Sequence, residues 1–361
     1  MQSRDCPTMS AGEVTFTDLL LLVIVLAFLW VSGKTAERLG CPVMVAEIVA
    51  GIAVGPNGFD IAPFPSAFVV VGQLGLFLLI LEGGLNVRID SLRTVGARAL
   101  GVAISGTVLP ILLTVAVFSG FHHFNYREAT VAGVSLSATA IGMVTQLMVG
   151  FGLLQSRLGN LIMSAAMIDD VLSLILLAMV TAASGMGTQP AWGPVTGLWA
   201  ILIPLISSVV FILITAVFAV STPVLIMRLQ TTFDSHGIHS INSWIVPTIF
   251  FVAVILVVAA HFARTTPLLG SFMAGVSFAS VPSALVTFEA CSAEVFSWTT
   301  RIFFASIGFA VPAHALFSTE ALLYGSLLSA IAVSSKVVTG VFEWDSKWAV
   351  GWAMVGRGGT C

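Results

Sequence analysis

The chain has 361 residues, of which 58% are hydrophobic and only 9% charged, where a soluble domain carries about a quarter charged residues. No single core could bury so much apolar surface in water, so the natural solvent is lipid, and a net charge of −3 offers no basic face to nucleic acid. Cys6, Cys41, Cys291 and Cys361 stand far apart, without the spacing of a disulfide framework or a Cys/His metal site.

Residues 1–16 read as an extramembrane segment. They lack a basic lead-in and a small-residue cleavage site, so the first apolar run reads as a retained span. A membrane-crossing helix needs about 20 apolar residues. On that basis spans are predicted at 17–33, 42–56, 67–87, 99–118, 129–150, 158–183, 196–221, 244–262, 266–281, 295–312 and 321–341, with a partial one from 346. Several are short or interrupted by Gly or Pro, as expected of helices packed inside a bundle. If the N-terminus is outside, the inside loops hold Lys34, Arg38, Arg88, Arg93, Arg98, Arg157, Arg228 and Lys347. The outside segments then hold only Arg4, Arg127 and Arg264, in keeping with the positive-inside rule. Residues 222–243, including the polar run 228–243, read as a cytoplasmic linker. They separate a first transmembrane half, 17–221, from a second, 244–361. The expected fold class is all-α and polytopic, in contact with the lipid bilayer.

Ionisable groups within spans cost about 2.5–3.5 kcal/mol each and are functional candidates for that reason. Glu47, in Val45–Gly51, and Glu82, before Gly83-Gly84, are expected to pack against unwound backbone or line a cavity. Span 129–150 contains Gly133-Val134-Ser135-Leu136-Ser137-Ala138-Thr139-Ala140-Ile141-Gly142. Small and hydroxyl-bearing residues at mid-membrane suit an unwound helix whose carbonyls, with the Ser137 and Thr139 hydroxyls, coordinate a cation. A small-residue packing seam is the alternative. The strongest candidate is Asp169-Asp170, near the midpoint of span 158–183, with no basic residue nearby in sequence. Two adjacent acids in a dry site cannot both ionise easily, so a proton and a desolvated cation compete for the same oxygens. A structural salt bridge, or a helix end that leaves the acids in a loop, are the blander readings. Lys336 lies about five residues from the inside end of its span, as a snorkelling side chain or as a buried ammonium that pairs with an aspartate and is released when cation binds. The last partial span carries Val355-Gly356-Arg357-Gly358-Gly359. Two interrupted helices entering from opposite faces predict an inverted-repeat transporter with two broken crossing helices.

These residues together resemble the monovalent cation:proton antiporters, exchangers of Na⁺ or K⁺ for H⁺ with an NhaA-type fold. Gly33–Gly58 looks like the first-repeat opening, and Leu74–Leu85 is similar to the next helix. Ser137-Ala138-Thr139-Ala140 resembles the unwound segment of the first crossing helix, and Ser156-Arg157-Leu158-Gly159 leading to Ile168-Asp169-Asp170-Val171 the ion-binding helix. Leu269–Gly275 and Phe303–Gly308 match second-repeat helices, and Lys336 falls where the family has its charged partner. The resemblance implies a homodimer with a dimerisation domain and a core domain that moves like an elevator. It implies that Asp170 is the essential carboxylate, that Asp169 with Lys336 forms an auxiliary charge site, and that exchange is electrogenic. Ala138, Ala140, Glu47, Glu82 and Arg357 take supporting places. The pattern near Gly356-Arg357-Gly358 usually continues with an acidic residue and another helix. Here it runs Gly359-Thr360-Cys361 and stops, so by that pattern the second repeat is expected to be incomplete.

No Walker A sequence, no GxGxxG turn and no HExxH is present. A transporter rather than an enzyme is expected, with no cofactor and no metal beyond the transported Na⁺ or K⁺. A cation channel and a non-transporting truncated relative remain as alternatives. An intramembrane aspartyl protease needs acids on two facing helices, but Asp18, Asp60, Asp90, Asp234 and Asp345 fall at span edges or in loops.

Overall fold

A computed structural model describes residues 15–87, 89–118, 120, 126–137, 156–184, 199–234, 242–281, 284–313, 318–342 and 347–355. Among the described residues there is no strand. The helices are α1 (Phe16–Leu39), α2 (Val43–Val54), α3 (Pro65–Leu85), α4 (Ile89–Phe118), α5 (Tyr126–Ser137) and α6 (Arg157–Ser184). They continue with α7 (Trp199–Asp234), α8 (Asn242–Phe262), α9 (Pro267–Phe278), α10 (Ala284–Ala310), α11 (Thr319–Thr339) and α12 (Lys347–Met354).

Local chemistry sets several helix ends. Thr15 and Asp18 form a capping box at α1: the Thr15 hydroxyl donates to the Asp18 carboxylate (2.7 Å), and the Asp18 N–H donates back to the Thr15 hydroxyl (3.3 Å). Gly40 ends that helix in the left-handed region, at φ 72°, and its N–H satisfies the Ala36 carbonyl. Pro65 and Pro267 stand in the first turns of α3 and α9, where a missing N–H costs nothing.

Seven of the described helices are long and apolar enough to cross a membrane, and the chain is an integral multi-pass membrane protein. The faces of α7 and α8 that carry Ile214, Val217, Val220, Phe251 and Val254 are exposed, a placement that only lipid makes favourable. With lipid outside, helix association depends on close packing. The short helices α2 and α9 achieve it through glycine. A Cβ on Gly51 would run into the carbonyl of Ala305 on α10, and one on Gly308 into the carbonyl of Ile48 on α2. Gly84 of α3 and Gly275 of α9 meet in the same way.

The contacts sort the helices into two bodies. In one, α10 packs on α2, α3 and α8, and α9 on α3 and α8, with α1 against α2. Its apolar seams run through Val25, Leu29, Phe68 and Phe309, and through Leu81, Ile249, Phe278 and Phe288. In the other, α4 packs on α5, α6 and α11, and α12 on α11 and α6. Helix α7 touches α6 on one side and α9 on the other, and this junction is filled by Met163, Met167, Phe211, Phe272 and Met273.

Several helices outrun their apolar stretches, α4 among them, which starts at Ile89 rather than 99. Helix α7 continues past 221 through Asp234, into the segment expected as linker, and α10 starts at Ala284 rather than 295. Hydropathy marks where a helix can lie in lipid, not where its hydrogen-bonded ladder stops. Of the expected span 129–150, α5 accounts for residues through Ser137, and 138–150 lie outside the described residues.

Candidate functional site

Three helices of the second body, α4, α6 and α11, bring together Thr107, Asp169 and Lys336. Ser156 immediately precedes helix α6, and its hydroxyl accepts the N–H of Gly159 (2.9 Å). Residues Leu161 to Met167 are all buried, so α6 runs through protein rather than along lipid. The small residues Ser164, Ala165 and Ala166 sit one turn before the acids, and none has any exposure.

Asp169 and Lys336 are both fully buried. The Lys336 Nζ donates to Asp169 Oδ2 at 2.9 Å, and the Thr107 hydroxyl, itself buried, lies 2.7 Å from Asp169 Oδ1. Both carboxylate oxygens are thus engaged, one from α11 and one from α4. The pair draws its strength from low local dielectric and from hydrogen bonds at both oxygens. Without them the desolvation cost would exceed the Coulomb attraction. Helix α4 makes room for the ammonium at Gly106, where a Cβ would stand 3.3 Å from Lys336 Nζ. Pro110 lies inside the same helix and has no N–H to give the Gly106 carbonyl, which therefore lacks its helical donor. On α11, Thr339 donates to the carbonyl of Lys336 (2.7 Å), and Ser335 to that of Ala332 (3.0 Å).

Asp170 differs from its neighbour. It is only partly buried, and no side chain among the described residues donates a hydrogen bond to it. The two acids therefore divide the work physically. Asp169 is a sealed, neutralised charge, and Asp170 a carboxylate with free oxygens beside it. A site of this kind can accept either a proton or a cation at Asp170 without breaking the adjacent pair, or can couple the two if the pair opens.

The other sequence-predicted residues fall as follows. Ser137, at the end of α5, is fully buried, and its hydroxyl donates to the Val134 carbonyl (2.7 Å). Ala138, Thr139, Ala140 and Arg357 lie outside the described residues. Glu47 belongs to the first body. It faces Arg301 of α10 at 3.7 Å, with Gly33 of α1 beside both, and Arg301 also stands over the Trp298 ring (5.8 Å). That pair is looser than Lys336–Asp169, because Glu47 Oε1 and Arg301 Nη1 are buried without a hydrogen bond. Glu82 is partly buried on α3, and its carbonyl accepts from the Asn86 side chain (3.1 Å). Thr107 and Gly106 were not singled out from the sequence. Their signal is the same as that of the 133–142 segment, small and hydroxyl residues in mid-span, here followed by Pro110.

The family model described as sodium/hydrogen exchanger, transmembrane, matches residues 21–361. The high-affinity Na(+)/H(+) antiporter NhaS3 of Synechocystis is 25% identical over 389 residues, covering 94% of this chain and 80% of that protein. Cation/H(+) antiporter 18 of Arabidopsis thaliana is 32% identical over 206 residues, 51% of this chain but only 24% of that much longer protein. Among solved structures, the sodium proton antiporter MjNhaP1 from Methanocaldococcus jannaschii superposes with a TM-score of 0.62 at 15% identity, over 93% of this chain and 84% of that one. At that identity the match speaks for the fold.

Proposed function

The chain belongs to the sodium/hydrogen exchanger family, and from that premise we propose that it exchanges a monovalent cation, Na⁺ or K⁺, for protons at Asp169–Asp170 by alternating access. The observation that carries the reading is the contrast within the acid pair: Asp169 locked to Lys336 in a sealed site, Asp170 partly open next to it. In the cycle, protonated Asp170 loses its proton as a cation binds the carboxylate. Lys336 withdraws from Asp169 as the added positive charge arrives, since two cations on one acid pair repel. The site closes, the body of α4–α6, α11 and α12 moves against the body of α1–α3 and α8–α10, and the cation leaves on the other side. Protonation returns the site. The division of contacts into two bodies, joined at α7 and by a smaller contact between α6 and α9, supports such a movement. We further propose a homodimer formed through the first body, no covalent chemistry or cofactor, and electrogenic exchange, in which a second proton leaves the Asp169–Lys336 pair for each cation bound.

The test is reconstitution. Purified protein in proteoliposomes with an imposed pH gradient should dissipate that gradient only on addition of Na⁺ or K⁺. Cation conductance without proton movement would replace the exchanger by a channel, and no response across a cation series would remove both.

A further inference from the structure

The Thr107 hydroxyl stands within reach of two acceptors. It is 2.7 Å from Asp169 Oδ1 and 2.9 Å from the carbonyl oxygen of Ala103, one turn back in α4. A hydroxyl has one hydrogen and two lone pairs, so it donates to one of these oxygens at a time. When Asp169 is a carboxylate, the charge-assisted bond is the stronger, and the hydrogen points to Oδ1. When Asp169 carries a proton, the hydroxyl turns its hydrogen to Ala103 and accepts the acid's O–H. Thr107 is 4% exposed and Asp169 0% exposed, so an unmatched group here has no bulk water to fall back on. Valine at 107 would match neither state.

We propose that Thr107 is a positioning residue that lets Asp169 pass between carboxylate and carboxylic acid inside a sealed site, freeing Lys336 to leave the pair. The inference rests on the exchange function proposed above and assigns a role to a residue outside the acid pair. The proton that Asp169 gains comes from water on the side to which the site is open and returns to water when a cation binds. The hydrogen of Thr107 only changes acceptor. Among the described residues, Asp170 on its own helix and Lys336 on α11 are charged groups that face Asp169. Among the helices packed around it, α9 has no ionisable residue. Those of α5 (Arg127, Glu128) and α12 (Lys347) lie in the first turn, those of α4 (Asp90, Arg93, Arg98) in its first third, and those of α7 (Arg228, Asp234) at its far end.

The experiment measures cation-driven proton movement against pH for full-length wild type, Thr107→Val and Thr107→Ser in proteoliposomes, each also in an Asp169→Asn background. Losing a donor to the carboxylate should move the half-maximal pH of Thr107→Val upward by about one unit. Thr107→Ser should stay near wild type, and the shift should vanish with Asn at 169. If Thr107→Val does not fold, Thr107→Ala removes the same hydroxyl and carries the same expectation. An infrared pH titration follows the protonated carboxyl band that is lost in Asp169→Asn, and its midpoint should move with the same variants whether or not they transport. A Thr107→Val profile and band that superpose on wild type, or a shift that survives Asp169→Asn, would overturn the inference. Retained exchange in Asp170→Asn would instead strike the function beneath it.

Discussion

Lys336→Ala is the perturbation whose cost the structure sets most firmly. Lys336 and Asp169 are both 0% exposed, and their bond is 2.9 Å long. Removing the ammonium leaves a buried carboxylate that keeps the Thr107 hydroxyl but has lost its counter-charge, a loss of about 3–5 kcal/mol for a broken buried pair. Spread over the unfolding entropy of 361 residues, that corresponds to a fall in melting temperature of roughly 4–7 °C. Removing the second charge as well should recover most of it, because Lys336→Ala/Asp169→Asn buries no unpaired ion. Melting of the three proteins in one detergent at pH 8 reads both differences. If Lys336→Ala melts with wild type, or the double variant falls as far as the single, the pair is not the buried, dry contact described above.

Further expectations follow from other parts of the molecule. Gly51→Val or Gly308→Val should cost about 3 kcal/mol or more through collision with backbone across the α2–α10 crossing, whereas Gly83→Ala, with nothing within 4 Å of its Cβ, should melt close to wild type. Glu47→Gln should destabilise by about 1–2 kcal/mol, less than Lys336→Ala, because its 3.7 Å contact with Arg301 is already incompletely satisfied. It should leave exchange in place, which transport and melting measured on the same preparation would check. Asp169→Asn should change coupling or pH dependence without abolishing exchange, and a profile identical to wild type would make Asp169 a spectator.

The membrane-spanning helices were legible because lipid imposes a simple demand: a long apolar run. The positions where polar residues extend a helix beyond lipid were not, which is why α7 runs on to Asp234 and α10 begins at Ala284. Asp169 and Asp170 stood out because a charge in an apolar run is expensive. Lys336 was visible for the same reason, but its pairing with Asp169, 167 residues earlier in the chain, was expected only through the family resemblance, because it depends on how α6 and α11 cross. Thr107 and Gly106 gave no such alarm. A threonine or glycine costs little in a span, and its importance comes from what a neighbouring helix places against it. Glu47 stood out as a charge in an apolar run, but its contact with Arg301 depends on how α2 and α10 meet at Gly51 and Gly308.

The central claim is that Asp170 is where cation and proton compete. Its most direct test is pH-gradient dissipation by Na⁺ or K⁺ in proteoliposomes containing wild type or Asp170→Asn, with insertion and melting checked alongside. Cation-dependent proton flux is expected in the first and none in an equally stable second. Undiminished flux from Asp170→Asn would contradict it.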